Sequence, residues 1–124
     1  MAVHPDDETL GCGGAILNHN DEADEIHWVI AAEMNVAEGF DGQTIDQRKR
    51  EIDAVQSVYG FKSMHQLGIS TMKVDEYGMS DLTSRISKVL IEVKPDIIYH
   101  PFKGDVHSDH RTIFNAAYSC TKSF

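Results

Sequence analysis

Short apolar runs alternate along this chain with segments of helical period, and that alternation restricts its fold more than any other feature. The runs fall at residues 1–3, 26–32, 64–67 and 96–100. The two longer ones are rich in β-branched and aromatic side chains, as strands buried on both faces are. The first is a stub, Met1-Ala2-Val3. A helix-period segment follows each run. Strand, helix, strand, helix implies right-handed crossovers and a mostly parallel sheet covered on both sides. The expected architecture is therefore α/β, a Rossmann-like three-layer α/β/α sandwich with its site at the C-terminal ends of the strands.

The helices have readable ends. Residues 8–19 form the first, with Asp6 or Asp7 as N-cap oxygen and Leu10, Gly14, Ile16 and Leu17 as its apolar side. The clearest helix spans 44–59. Thr44 and Gln47 fit a capping box, Ile45, Ile52, Val55 and Val58 face inward, and Gly60 ends it. Ser80 or Asp81 caps a third, carrying Leu82, Ile86, Val89, Leu90 and Val93 and stopped by Pro95. His107 or Ser108 opens a fourth, carrying Ile113, Phe114, Ala117 and Tyr118.

A chain of 124 residues supports one core, so a single domain over 1–124 is expected. The short first run and the uncapped last helix suggest that this domain is incomplete at its first strand and at its C-terminus. The net charge of −9 excludes a basic nucleic-acid or anionic-membrane surface. No apolar run reaches the roughly 18 residues of a membrane span, and no signal peptide is read. Two cysteines, Cys12 and Cys120, make no disulfide framework, so a cytoplasmic location is the default. Partners are expected to be small molecules, with a homo-oligomer left open. The acidic turn 21–25 reads as solvated surface.

Chemistry concentrates at two strand-to-helix turns. His4-Pro5-Asp6-Asp7-Glu8 follows the first run, and Asp105-Val106-His107-Ser108-Asp109-His110 follows the fourth. Taken singly, each is a good helix-capping segment. Together, if the first and fourth strands are neighbours at a switch point, they flank one crevice. His4, Asp7 and His110 then make two imidazoles and a carboxylate with an open fourth position, the layout of a catalytic metal site. Adjacent Asp6 and Asp7 cannot both point at the ion. One binds it while Asp6 serves as general base, which suits metal-assisted hydrolysis with a second group protonating the leaving group. Zinc is expected, and Fe2+ or another divalent transition metal would also fit such donors. His19, His27 and His65 are assigned to surface or strand packing, while His100, at a strand end on the active side, is left undecided. Cys12 is read as a small buried helix residue. Gly11-Cys12-Gly13-Gly14 lacks the third glycine of a dinucleotide fingerprint.

These motifs, with the Arg48-x-x-Glu51-x-x-Ala54 helix and Tyr59-Gly60-Phe61 between them, resemble the LmbE-like / PIG-L family of zinc-dependent N-deacetylases. The resemblance covers nearly the whole chain in order. It implies removal of an N-acetyl group from an N-acetylglucosamine-type sugar or conjugate by a metal-activated water. By position, His4, Asp7 and His110 match the zinc ligands and Asp6 the general base. His107 matches the cation that stabilises the oxyanion and protonates the departing amine. Asp105 and Asp109 would orient the imidazoles from behind, and Arg48 matches a substrate contact. Two alternatives are carried forward: an amidase of a sugar-thiol conjugate, and a metal-binding but catalytically silent domain.

Overall fold

The computed structural model describes residues 1–123. In order these form α1 (Asp7–Asp21), β1 (His27–Glu33), α2 (Gly42–Tyr59), β2 (Ser63–Ser70), α3 (Met79–Val93) and α4 (Ser108–Cys120). Short 3₁₀ turns lie at Val36–Glu38, Val74–Glu76 and Thr121–Ser123.

β1 and β2 pair in parallel, from His27 opposite Ser63 to Glu33 opposite Ser70, with a register shift between Ile30 and Ala32. On the other edge of β1, Ala2 bridges Ile30 in parallel. The Ala2 N–H donates to the Val29 carbonyl at 2.8 Å, and the Ala31 and Ala32 amides donate to Ala2 and Val3 at 3.0 and 2.8 Å. Beyond Met1 lies the fourth run, where the Met1 amino group donates to the Tyr99 carbonyl at 2.6 Å. The lateral order is thus β2, β1, residues 1–3, then residues 96–100. The first and fourth runs are neighbours, as the crevice requires.

Two cores cover the two faces. Alternation along β1 sends Val29 and Ala31 to one side and Trp28 and Ile30 to the other. Val29, Leu67 and Ile69 pack with Leu82 and Ile86 of α3 and Ile113 and Ala117 of α4. Trp28 and Ile30 pack with Ile16 of α1 and with Ile52, Tyr59 and Phe61 of α2 and its exit. Helices on both faces of a parallel sheet give the α/β/α sandwich. Each fully buried aliphatic, such as Ile86 or Ile113, contributes about 1.5–3 kcal/mol from burial.

Several sequence expectations need correction. Residues 96–100 are not a strand, and Ile97 is 61% exposed. Strand-like composition needs a ladder to pair with, and residues 1–3 offer this run one hydrogen bond. In α1 the buried positions are Glu8, Gly13 and Ile16, while Leu10 and Leu17 lie outside. Cys12 has non-helical φ/ψ of −146°, 20°, so the kink breaks the 3.6-residue phase from which a continuous apolar face was read. It also brings Gly13 against α2, where a Cβ would sit 2.7 Å from the Tyr59 hydroxyl. α2 begins at Gly42 rather than Thr44. Asp41 is its N-cap, with Oδ1 accepting the Gln43 and Thr44 amides at 2.9 Å and Oδ2 the Thr44 hydroxyl at 2.7 Å. Tyr59 points inward and Val58 outward, and Tyr118 of α4 is likewise exposed. α3 starts behind Gly78 without a side-chain cap. Asp6 occupies the N-cap of α1 but makes no cap bond.

Candidate metal centre

The backbone of Val3 and His4 is fixed first. Residues 2 and 3 are pinned to β1, and the chain turns at Pro5, with the Asp6 and Asp7 amides both donating to the His4 carbonyl. Asp7 folds back, and its Oδ2 accepts the Val3 and His4 N–H groups, each at 2.9 Å. Instead of capping α1, this carboxylate is held beside the His4 ring. Arg48 reaches across from α2, and its Nη1 donates to the Pro5 carbonyl at 3.2 Å.

The second cluster is built by capping. Asp105 Oδ1 accepts the His107 amide at 2.9 Å, and His107 Nδ1 accepts the Asp109 amide at 3.2 Å as N-cap of α4. That geometry throws His110 and Asp109 inward, where Asp109 is fully buried.

The two clusters meet. His4 Nδ1 lies 3.2 Å from His110 Nε2, and His110 Nε2 lies 3.4 Å from Asp7 Oδ2. One ligand atom from each of His4, Asp7 and His110 lies within 4.8 Å of the other two. A tetrahedral ion with bonds of about 2.0–2.1 Å separates its ligand atoms by about 3.3 Å. The His4–His110 and His110–Asp7 separations of 3.2 and 3.4 Å match two such tetrahedral edges.

Tautomers point the same way. The far nitrogen of each ring faces a carboxylate: His110 Nδ1 is 3.0 Å from Asp105 Oδ2, and His4 Nε2 is 3.3 Å from Asp109 Oδ2. If those nitrogens carry the protons, two bare lone pairs confront each other across 3.2 Å. A cation between them removes the conflict, so the donor set fits a divalent metal ion.

A rival set, His4, His107 and Asp109, also converges. It is better suited to positioning. Asp109 Oδ2 accepts the Met72 amide at 2.9 Å and faces the far nitrogen of His4, not the one turned toward His110, and His107 Nδ1 is engaged as the helix cap. Asp109 Oδ1 is buried with no partner among the described residues. A buried negative carboxylate is costly unless a cation compensates it. A protonated edge of His4, with a metal ion bound on its other side, would provide that charge balance.

The remaining sequence candidates gather here too. The His107 ring stacks on His110 with centroids 5.1 Å apart and lies 4.9 Å from His4. Asp6 is exposed and, with His4 and Arg48, lines a cavity of about 210 Å³ floored by Ile30, Ala32 and Ile52. The Asp105 carboxyl is held below its ordinary range, chiefly by the His107 amide and then by His110. Burial pushes the Cys12 thiol upward, which suits packing and opposes a nucleophilic role. His100 is exposed and lies edge-on against Phe114 with ring centroids 5.0 Å apart. His27 and His65 flank the Ser63 hydroxyl on the strands. His19 pairs with Asp24 at the end of α1. Two contributors were invisible in sequence, the Pro5 carbonyl and the Met72 amide, because both act through backbone. Met72 sits at φ 60°, a left-handed turn that no glycine or asparagine announces. Among the described residues, no helix is long and apolar enough to cross a membrane.

Comparison with known proteins bears on the family and the fold. The model of the PIG-L family, described as GlcNAc-PI de-N-acetylase, matches residues 1–121. A conserved protein of Thermus thermophilus superposes with a TM-score of 0.81 at 22% identity, over 98% of this chain and 53% of its own. The N,N'-diacetylchitobiose deacetylase of Pyrococcus horikoshii gives 0.80 at 23%, over 98% and 47%. GalB, the 4-carboxy-2-hydroxymuconate hydratase of Pseudomonas putida, gives 0.77 at 21%, over 96% and 52%. The chain spans about half the length of these solved structures. With its family model matched from the first strand stub to the end of α4, the chain belongs to the PIG-L family.

Proposed function

We propose that this chain is a zinc-dependent hydrolase that removes the N-acetyl group of an N-acetylglucosamine-type sugar or conjugate. The observation that carries this reading is the convergence of His4, Asp7 and His110 at tetrahedral spacing beside the cavity that Asp6 lines. The family's description and the Pyrococcus horikoshii deacetylase support the reaction type.

His4, Asp7 and His110 would hold a divalent ion, which would supply Lewis acidity toward the acyl carbonyl and the attacking water. The protein's own groups do the rest. Asp6, free of any cap bond, accepts the proton of the attacking water. His107 has its Nδ1 occupied as acceptor of the Asp109 amide, so its proton resides on Nε2. From there it donates a hydrogen bond to the oxygen that gains charge, while the proton that Asp6 took from the water goes to the departing amine, in place of the cationic His107 donor expected from the sequence. Arg48, anchored to Pro5, steadies the loop carrying His4 and Asp6 and keeps further N–H donors for substrate hydroxyls. The cavity has an apolar floor with Gln66, Thr71 and Glu33 also on its lining, which suits a sugar ring with its flat C–H face and polar edge.

The same pocket would take a sugar-thiol conjugate, and the hydratase among the structural neighbours shows that the fold also serves other water chemistry. Acetate release from a panel of N-acetyl amino sugars, with and without chelator, decides between these. Chelator-sensitive acetate release that Asp6→Asn abolishes is expected. Stoichiometric zinc without acetate from any member of the panel overturns the deacetylase reading in favour of a catalytically silent metal-binding domain.

A further inference from the structure

The loops that leave β1 and β2 are fastened to each other beside the metal centre. Asn35 Nδ2 donates to the Ser70 hydroxyl at 3.1 Å, the Thr71 amide donates to the Glu33 carbonyl at 3.0 Å, and Lys73 Nζ lies 2.7 Å from Glu38 Oε2. The last contact differs from the other lysine and arginine ion pairs among the described residues. The Glu38 side chain is 14% exposed, whereas the acidic partners of Arg48, Lys49, Lys62 and Arg85 are between 47% and 68% exposed. A sheltered pair is screened less by water and salt, so it holds its two loops more firmly than a surface pair does.

Lys73 follows Met72, whose backbone conformation its own chemistry disfavours. A φ of 60° is left-handed, where a residue with a Cβ is strained. The Met72 side chain is largely exposed, so packing offsets little of that strain. Such a backbone persists where its surroundings over-determine it. Val74 holds the turn from one side, buried in the core shared with α3 and α4. The Lys73–Glu38 pair holds it from the other. What the turn presents is the Met72 amide, which donates to Asp109 Oδ2 at 2.9 Å. The fully buried Asp109 carboxylate has one other partner among the described residues, His4 Nε2 at 3.3 Å.

We propose that Glu38 and Lys73 are positioning residues of the metal centre. Their ion pair holds the 71–73 turn so that the Met72 amide stays on Asp109. Asp109 in turn keeps the proton of His4 on Nε2 and leaves Nδ1 bare on the side of His110. This role, which rests on the proposed function of His4 as a metal ligand, needs no contact with ion or substrate, and neither Glu38 nor Lys73 lines the cavity beside Asp6. Met34 from one loop and Thr71 from the other do line it, so the same pair also fixes the spacing of those two walls.

Glu38→Gln, Lys73→Met and the charge-reversed double variant E38K/K73E test this role. Zinc affinity is read by competition against a chromophoric chelator, and amide hydrogen exchange is read on the metal-free chain. Each single variant is expected to speed exchange of the Met72 amide and to weaken zinc binding, both by on the order of tenfold, with the Ile86 and Ile113 amides unmoved. The reversed pair should restore both. Unchanged Met72 exchange or unchanged zinc affinity in the single variants overturns the proposal. Equal acceleration of the core amides would mean a general loss of stability and overturns it too, as does a double variant no better than the singles. A parent chain that binds no zinc refutes the metal centre itself, whereas zinc held equally by parent and single variants refutes only the role of the pair.

Discussion

His4 and His110 stand 106 positions apart in the chain, yet their Nδ1 and Nε2 atoms lie 3.2 Å from each other. A separate carboxylate sits behind each ring, Asp109 for His4 and Asp105 for His110. The arrangement leaves the facing nitrogens available to a shared cation.

Removing a ligand should therefore remove the ion. Asp7→Ala and His110→Ala are each expected to fall well below one zinc per chain after dialysis, as read by elemental analysis. Full occupancy in both variants contradicts the ligand set.

Asp6 should behave differently. Asp6→Ala is expected to keep its zinc while turnover on a responsive N-acetyl sugar drops by roughly 10²–10⁴, the usual range for a general base. Loss of the ion from this variant would exchange the roles of Asp6 and Asp7.

Asp105 binds no ion in this scheme, yet it fixes the His110 ring. Asp105→Ala is expected to weaken zinc binding by roughly 10–100-fold in a competition titration against a chromophoric chelator. An unchanged affinity would show that His110 is held in place by α4 alone.

Asp41 supplies a pH signature away from the metal. The Thr44 hydroxyl and the Thr44 and Gln43 amides hold its carboxyl below the ordinary range. A lowered folded pKa means that the cap stabilises fully above the unfolded value of about 3.9 and is lost as pH falls through the folded one. Asp41→Ala should thus lower Tm at pH 7, with the gap to the parent closing in acid below that value. A gap independent of pH would mean that the charge of Asp41 plays no part.

The core should respond as a packed interior. Ile86, fully buried between the sheet and α4, is expected to cost about 2–5 kcal/mol when cut to Ala, by chemical denaturation.

Periodic features were legible from sequence. β1 and the helices appear close to where apolar period placed them, β2 runs on to Ser70, the expected caps of α1, α2 and α3 are not the ones used, and the His/Asp clusters fall at the two turns that adjoin. Features that depend on neighbours were less readable. Residues 96–100 have the composition of a strand but lack the partners that make one. Leu10 and Leu17 carry the right period for a straight helix, and the Cys12 kink rotates them out. Thr44 has the letters of a capping box, yet Asp41 three residues earlier accepts the Gln43 and Thr44 amides, which puts Thr44 inside the first turn with its hydroxyl donating to Asp41. The convergence of His4, Asp7 and His110 was readable because side-chain chemistry is written in residue types. The Pro5 and Met72 contributions were not, because a main-chain atom leaves no letter.

The bond from the Met72 amide to Asp109 ties a turn residue with no donor side chain to the ring of His4. Variation in that turn is thereby exposed to the same selection as the histidines. A saturation survey scored only for ion retention would flag residue 72, and the tolerated replacements there should be those at ease with a left-handed backbone.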